Sequence, residues 1–369
     1  MPRNSKRQML LVILATSVAA CVPRAPEATV VGTSDQAAAV VEAAPGAALP
    51  ASAARPAAPG TTGGGSRAEA VPGTCAGSPV RLVYGSNVAG QDAFRLSDGS
   101  LATWARMAVN VDGMARAYHR DDVAGGGLIA LCNGGRPYPA GQADYNASAS
   151  NEACGRFRSD YARIRAAGWK DPSIGAIHWF GVLGTGGATI PGPRGPRQVS
   201  QVQPVEQSDG SGYYVSPTAL QDAQHHPRKE DQRRYVDAER VPAAVIRDTQ
   251  QMRQLGITMG TYGVAIHRTT RRAFPFIVGD AGPRIGEGSF ALGRAVKGLP
   301  EATATRANIY SGHVEGQDVL WIFFGGERAL PPYTPERVKA HAAAAFDAWG
   351  GAARLDSCIN EPSIPRANR

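Results

Sequence analysis

GDAGPRIGEGSFALGRAV, residues 279–296, follows an apolar run that ends at Val278. The stretch carries two carboxylates, Asp280 and Glu287, among glycines, a proline, arginines and small apolar residues. Glycines on both sides of Glu287 disfavour regular structure there, and glutamate is not a typical turn residue. A Gly-Pro pair between the acids indicates that the chain turns, so the carboxyl groups can approach to within about 10 Å. The residues alone fit either a structural turn or an acid pair held for chemistry.

The first twenty residues have the pattern of an export signal. Three basic residues precede an apolar run over residues 9–20, which is too short for a bilayer span of about 20 residues. The run ends in Val-Ala-Ala-Cys and resembles a bacterial lipoprotein signal, so we predict a signal peptide over residues 1–20 and lipidation of Cys21. Ordinary cleavage after Ala19 is the alternative, and it would leave Cys21 as a spare thiol.

The signal predicts an exported protein, anchored to a membrane through the lipid on Cys21 and facing the periplasm or the cell exterior. Residues 21–73 are rich in Ala, Pro and Gly and contain no aromatic residue, which is typical of a disordered tether. Folded composition begins near Cys75, and we assign residues 74–369 to one folded domain.

Cysteine usage agrees with export. The chain has five cysteines, and setting Cys21 aside leaves an even number. Four cysteines in an exported domain predict two disulfides with three possible connectivities. These four are Cys75, Cys132, Cys154 and Cys358. There is no Cys-x-x-Cys motif, so we predict neither a metal site nor a cofactor.

The charge of the chain is modest. The formal net charge is +8, and removal of the signal peptide leaves 36 basic against 31 acidic residues. The longest charged tract, RKEDQRR at 228–234, mixes both signs, whereas nucleic-acid binding favours a stripe of one sign with aromatic residues. We therefore exclude nucleic acid as a partner.

Short β-like runs separated by turn residues recur along the domain, and their spacing predicts a sandwich or a barrel. These runs cover residues 80–84, 104–111, 176–183, 212–216, 243–247, 257–268, 273–278 and 319–324. Two helices are predicted, one capped by Asn151 and one opened by Thr334 and Pro335 and ended by glycines at 350 and 351. Residues 185–211 are too long for an ordinary connection and indicate a binding loop or a disordered one.

Four segments, in order, resemble the fungal-type chitosanases, glycoside hydrolase family 75. The most specific is VGDAGP at 278–283 with IGEGSFAL at 285–292. The others are MAVNVDG at 107–113 with AYH at 117–119, GYYVSPTAL at 212–220, and RYVD at 234–237 followed by VP at 241–242. The resemblance covers most of residues 80–350.

This resemblance implies a function and a fold. Asp280 and Glu287 match the two essential carboxylates of the family, which implies inverting endo-hydrolysis of a β-1,4-linked glucosamine polymer. We favour Glu287 as the acid and Asp280 as the base. The implied fold is mainly β, a double-psi-like β-barrel with a few peripheral helices. We expect a monomer whose partner is a polysaccharide.

The sequence also departs from the family. Asn110 stands where an Asp-x-Asp-Gly pattern would place an acid. We predict that Asp112 and Tyr214 bind substrate, Asp112 as a partner for a sugar amine and Tyr214 from a strand in which it alternates with Tyr213. A turn role for Asp112 and core packing for Tyr214 are the alternatives. A basic chain also gives no support to a polycationic substrate.

Two further functions fit the same residues. The succession of 241–242, 255–266 and 277–282 resembles the cell-wall-lytic members of this barrel group, so an enzyme acting on another wall polymer such as peptidoglycan is one alternative. A non-catalytic glycan-binding barrel is the other.

Overall fold

The structure is a computed structural model that describes residues 74–85, 88–122 and 126–366. The strands are β1 (Gly77–Leu82), β2 (Gln91–Leu96), β3 (Leu101–Asn110), β4 (Gly135–Pro139), β5 (Gly175–Trp179), β6 (Gly184–Gly192), β7 (Gly195–Pro204), β8 (Ala243–Ile246), β9 (Thr261–His267), β10 (Ala273–Ala281), β11 (Glu287–Ser289) and β12 (Val314–Arg328). The helices are α1 (Asn151–Ala166), α2 (Gln250–Gln254), α3 (Phe290–Lys297), α4 (Pro335–Trp349) and α5 (Gly351–Ile359).

Six strands close into a barrel in the order β3, β11, β8, β10, β9 and β12, and β12 pairs back onto β3. The pairs β3–β11 and β8–β10 are parallel, and the other neighbours in the barrel are antiparallel. β1 and β2 extend the sheet outside the barrel from β3. The predicted fold, a mainly β barrel with a few helices around it, is confirmed.

Large apolar side chains fill the barrel interior. Phe276 on β10 packs edge to face on Trp321 and Phe323 of β12, with ring centroids 5.7 and 5.4 Å away. Ala244 and Ile246 of β8 belong to the same buried cluster. Because side chains alternate along a strand, the residues between these point to the outer face of the barrel.

The chain between β3 and β8 forms a second layer on that outer face. Its own core joins α1 to β5 around Phe157 and Trp179. Leu220 and Val236 from this layer pack against Ala243 of β8, an outer-face position. The layer therefore covers part of the outer face of the barrel.

The structure corrects our prediction for residues 185–211. Most of this segment is the antiparallel hairpin β6–β7 rather than a loop. Ile190, Val199 and Val202 are buried, and the Val202 carbonyl accepts a hydrogen bond from the indole of Trp179. These few apolar residues are diluted by glycine, proline and glutamine, so the two-residue period of a strand is weak in the sequence.

The two predicted helices are present with small changes at their ends. Ser150, rather than Asn151, caps α1, since its hydroxyl accepts from the Ala153 N–H at 3.1 Å. Thr334 caps α4 as predicted. Gly350 ends α4, and α5 begins at the next residue and was not predicted.

Both predicted disulfides are formed, and their connectivity is now clear. Cys75 pairs with Cys358, and Cys132 pairs with Cys154. The first bridge links the chain just before β1 to α5, and the second joins the start of the second layer to α1. Disulfides of this kind are typical of exported proteins.

The signal peptide, the tether over 21–73 and Cys21 lie outside the described residues. Within the described part of the chain, no helix is long and apolar enough to cross a membrane.

Lipidation of Cys21 stays a prediction and is directly testable. A Cys21→Ser variant should lose membrane retention and lipid labelling, because serine offers no thiol for the lipid. Fractionation of cells that express each chain, with labelling by a radioactive fatty acid, would measure both. Unchanged retention of the serine variant in the membrane fraction would contradict the prediction.

Candidate active site

The two acids of the opening stretch lie on either side of one barrel strand. Asp280 of β10 and Glu287 of β11 both stand opposite Val245 of β8. Residues directly opposite each other in a sheet share a face, and two strand spacings separate the acids' Cα atoms by about 10 Å. The register therefore brings both carboxylates to the outer face of the barrel.

A bulge at Gly279 decides which face Asp280 uses. Val278 pairs with Ala244, an inward position, but Asp280 already pairs with the next residue, Val245. Regular alternation would have turned Asp280 into the barrel, and the extra residue turns it outward. A side chain at 279 would place its Cβ 2.7 Å from the Cβ of Ala243, so only glycine fits there.

The glycines around Glu287 have separate structural causes. Gly286 has φ of +134°, a conformation that L side chains rarely adopt. Gly288 points inward, where a Cβ would lie 3.1 Å from Leu292 and 3.3 Å from Trp321. Glu287 between them therefore faces outward on the short strand β11.

Ser289 fixes this strand to its neighbours. Its hydroxyl donates to the Val241 carbonyl at 2.7 Å and accepts from the Ala243 N–H at 3.0 Å. It also accepts from the Leu292 N–H and so caps α3. One side chain thus joins β8, β11 and the first turn of α3 beside Glu287.

The Asp280 carboxylate accepts three hydrogen bonds. Its Oδ1 accepts from the N–H groups of Ala219 and Ala281, both at 2.8 Å, and its Oδ2 accepts from the Asn110 amide at 3.0 Å. Burial raises the pKa of Asp280 to about 6, and the three hydrogen bonds act in the opposite direction. They stabilise the ionised form.

Glu287 has the contrasting environment. Among the described residues, none donates a hydrogen bond to its carboxyl group. Burial raises the pKa of Glu287 to about 7, the charges of Arg106 and Arg284 lower it, and the Asp280 charge raises it. This group therefore holds a proton at a higher pH than Asp280 does.

Asp112 is a third carboxyl in the same site. It follows the end of β3, and the Tyr118 hydroxyl donates to its Oδ1 at 3.1 Å. Burial raises the pKa of Asp112 well above its usual range, as do the charges of Asp280 and Glu287, while the Tyr118 hydrogen bond lowers it. The structure thus brings predicted site residue Asp112 to the acid pair.

Tyr214, the other predicted substrate-binding residue, is not at the acid pair. It is 1% exposed and packs in the core of the second layer. Its hydroxyl forms a 2.7 Å hydrogen bond with that of Tyr161. Core packing, the alternative given above, describes its position.

A small pocket lies against Asp112 and Asp280. It is lined by Asn110, Asp112, Thr218, Val236, Ala238, Ala243, Ala244, Val245, Gly279, Asp280 and Ser289. Seven of these eleven residues come from the segments that carry the family resemblance, and the other four are Ala238 and three residues of β8.

Sequence reasoning missed three contributors to this site. Asn110 appeared as a departure from the family pattern, yet it contacts Asp280 directly. Tyr118 and Ser289 lay within quoted segments but carried no signal of their own. Their roles depend on which distant residue each one meets, and spacing along the chain does not reveal that.

The described residues contain no group of three or more His, Cys, Asp or Glu side chains placed to hold a metal ion. Comparison of the chain with known protein families and with curated proteins gives no match. Its function is therefore inferred from the chemistry of the site.

Proposed function

We propose that this protein is an exported, lipid-anchored glycoside hydrolase that cleaves internal β-1,4 bonds of a glucosamine polymer with inversion. One observation carries the proposal. Two outward-facing, half-buried carboxyls flank a single strand, one of them with three hydrogen-bond donors and the other with none among the described residues. Hydrolysis by inversion needs one ionised carboxylate and one protonated acid with a water between them.

The environments assign the two roles. Asp280, ionised and held by three donors, activates the water that attacks the anomeric carbon. Glu287, whose raised pKa lets it keep its proton, protonates the leaving glycosidic oxygen. As the bond breaks, Asp280 gains the proton of the water and Glu287 becomes ionised. The environments support the assignment that we favoured from the sequence.

The third carboxyl supports an amino-sugar substrate. Asp112, Asp280 and Glu287 place three carboxyl groups at one site, and a cation beside them would favour their ionised forms, so the net charge of the chain does not set the local affinity for an amine. An ammonium group beside Asp112 would favour its ionised form and form a charge-assisted hydrogen bond with it. A free glucosamine amine has this chemistry, and an acetylated one does not.

The pKa values predict a narrow pH optimum. Activity should rise as the pH passes about 6, where Asp280 ionises, and fall as it passes about 7, where Glu287 loses its proton. Initial rates on a soluble glucosamine oligomer between pH 4 and 9 would give this profile. An activity that still rises above about pH 8 would contradict the assigned roles.

Substrate choice tests the proposal itself. The exported protein is incubated separately with chitosan, chitin and peptidoglycan, and the products are analysed by mass. Glucosamine oligomers from chitosan are expected. Muropeptides alone would replace the proposal with the wall-lytic alternative, and binding without any cleavage would favour the glycan-binding one.

A further inference from the structure

We propose that Asn110 is a positioning residue that holds Asp280 as an ionised base, and this inference rests on the proposed function. The Asn110 amide bridges two parts of the site. Its Nδ2 donates to Asp280 Oδ2 at 3.0 Å, and its Oδ1 accepts from the Asp112 N–H at 2.8 Å. A residue that departs from the family pattern therefore connects the base to the third carboxyl.

The orientation of the amide follows from its partners. A backbone N–H can only donate, so the atom that faces Asp112 N–H has to be the amide oxygen. The NH₂ group then has to face Asp280. Asp280 Oδ2 accepts this hydrogen bond, so the lone pair that faces the Asn110 amide carries no proton.

The other oxygen of Asp280 is more restricted. Two backbone N–H groups point at Oδ1, so both of its lone pairs are occupied. Oδ2 keeps one lone pair beside the Asn110 N–H, and it is there that Asp280 accepts the proton of the water. Asn110 supplies the side-chain donor of the three, and an acid at position 110 would supply a like charge instead.

Several charged or titratable groups share this site and contribute to its titration. Asp112 and Glu287 share the site with Asp280, from the chain after β3 and from β11, and the Asp280 charge raises the pKa of both. The groups behind these two are Tyr118, Arg106 and Arg284. A change at position 110 leaves all of them in place, so its effect on Asp280 can be separated from theirs.

Asn110→Asp is the discriminating variant. It keeps the shape of the side chain and an acceptor for the Asp112 N–H, but it removes the donor to Asp280. We expect the low-pH limb of the activity profile to shift to higher pH by about one unit or more, because a negative charge replaces a hydrogen-bond donor and raises the pKa of Asp280. At pH 5.5 kcat should fall about five- to tenfold, while KM changes by less than about twofold.

A second readout does not depend on substrate. Titration of ¹³C-labelled aspartate carboxyls by NMR follows Asp280 directly, with Asp280→Asn identifying its signal. Asn110→Asp should raise the Asp280 midpoint, and Asn110→Ser, which adds no charge, should raise it by less. If the wild-type chain cleaves no glucosamine polymer but this shift occurs, the proposed function fails and the link between Asn110 and Asp280 stands.

Asn308 provides the matched control. It is half-buried like Asn110, and its amide also bridges two groups, the Thr305 N–H and the Thr303 carbonyl. Asn308→Asp should leave the Asp280 midpoint and the activity profile unchanged. A folded Asn110→Asp protein whose Asp280 midpoint stays within about 0.3 unit of the wild-type value would overturn the inference.

Discussion

Replacement of Glu287 by Gln is expected to reduce cleavage of a glucosamine polymer by about a hundredfold or more, since the glutamine amide cannot protonate the leaving oxygen. Asp280→Asn should cause a loss of the same order because it removes the base. Both changes preserve size and shape, so the fold is expected to remain. Initial rates at pH 6.5 with circular dichroism as a check on folding would measure both effects.

Glu287→Gln is expected to increase stability at high pH while it reduces activity, and the sign of this effect follows from the pKa of Glu287. Glu287 titrates at about 7 in the folded protein against 4.5 ordinarily, so the stability tied to its protonated form is complete below about pH 4.5 and is lost as the pH rises through about 7. Glu287→Gln should therefore raise Tm at pH 8 and leave it nearly unchanged at pH 4. Loss of activity combined with gain of stability is what a catalytic acid with a raised pKa predicts.

Glu230→Gln is the control, because Glu230 is exposed in the charged tract at 228–234. It should change neither activity nor the dependence of Tm on pH. If Glu287→Gln were as active as this control, Glu287 would serve only the turn and the acid-pair hypothesis would be wrong.

Loss of the Cys75–Cys358 bridge should have the largest effect on stability. The bridge spans 283 residues of sequence, whereas Cys132–Cys154 spans 22. Loop-closure entropy assigns about 5.6 kcal/mol of unfolding free energy to the long loop and about 3.4 kcal/mol to the short one. Paired Cys→Ala variants, unfolded in urea, would measure the two losses.

The two bridges are matched controls for each other, because all four cysteines are buried and alanine leaves a similar gap at each. A larger loss for the Cys132–Cys154 pair would contradict the entropic account. It would indicate instead that the short bridge holds the second layer against the barrel.

Seven of the eight β-like runs overlap strands because they have enough apolar residues to be recognised alone, whereas residues 212–216 form only isolated bridges at Tyr213 and Tyr214. β3, β9, β10 and β12 run deep through the barrel, and their apolar runs stand out. β11 has only three residues, and it is a strand because β3 and β8 pair with it on both sides. Elements that depend on partners distant in sequence, such as β11 and the hairpin β6–β7, leave little local signal.

The turn from which the sequence predicted the acid pair explains only part of why the two acids lie close together. The expected turn between Asp280 and Glu287 is present, but their proximity comes from the strand β8 that lies between them. The bulge at Gly279, which turns Asp280 outward, has no signature in the sequence beyond a glycine. The donors to Asp280 come from residues 61 and 170 positions away as well as from the adjacent one, so its protonation state could not be predicted from local sequence.

The configuration of the newly formed reducing end tests the central claim most directly. ¹H NMR during the first minutes of chitosan cleavage distinguishes the two anomers before they interconvert. A water activated by Asp280 on the face opposite Glu287 inverts the β bond, so the α anomer is expected to appear first. Initial formation of the β anomer would contradict the account, since it would require a covalent intermediate on one of the carboxylates rather than a water held between them.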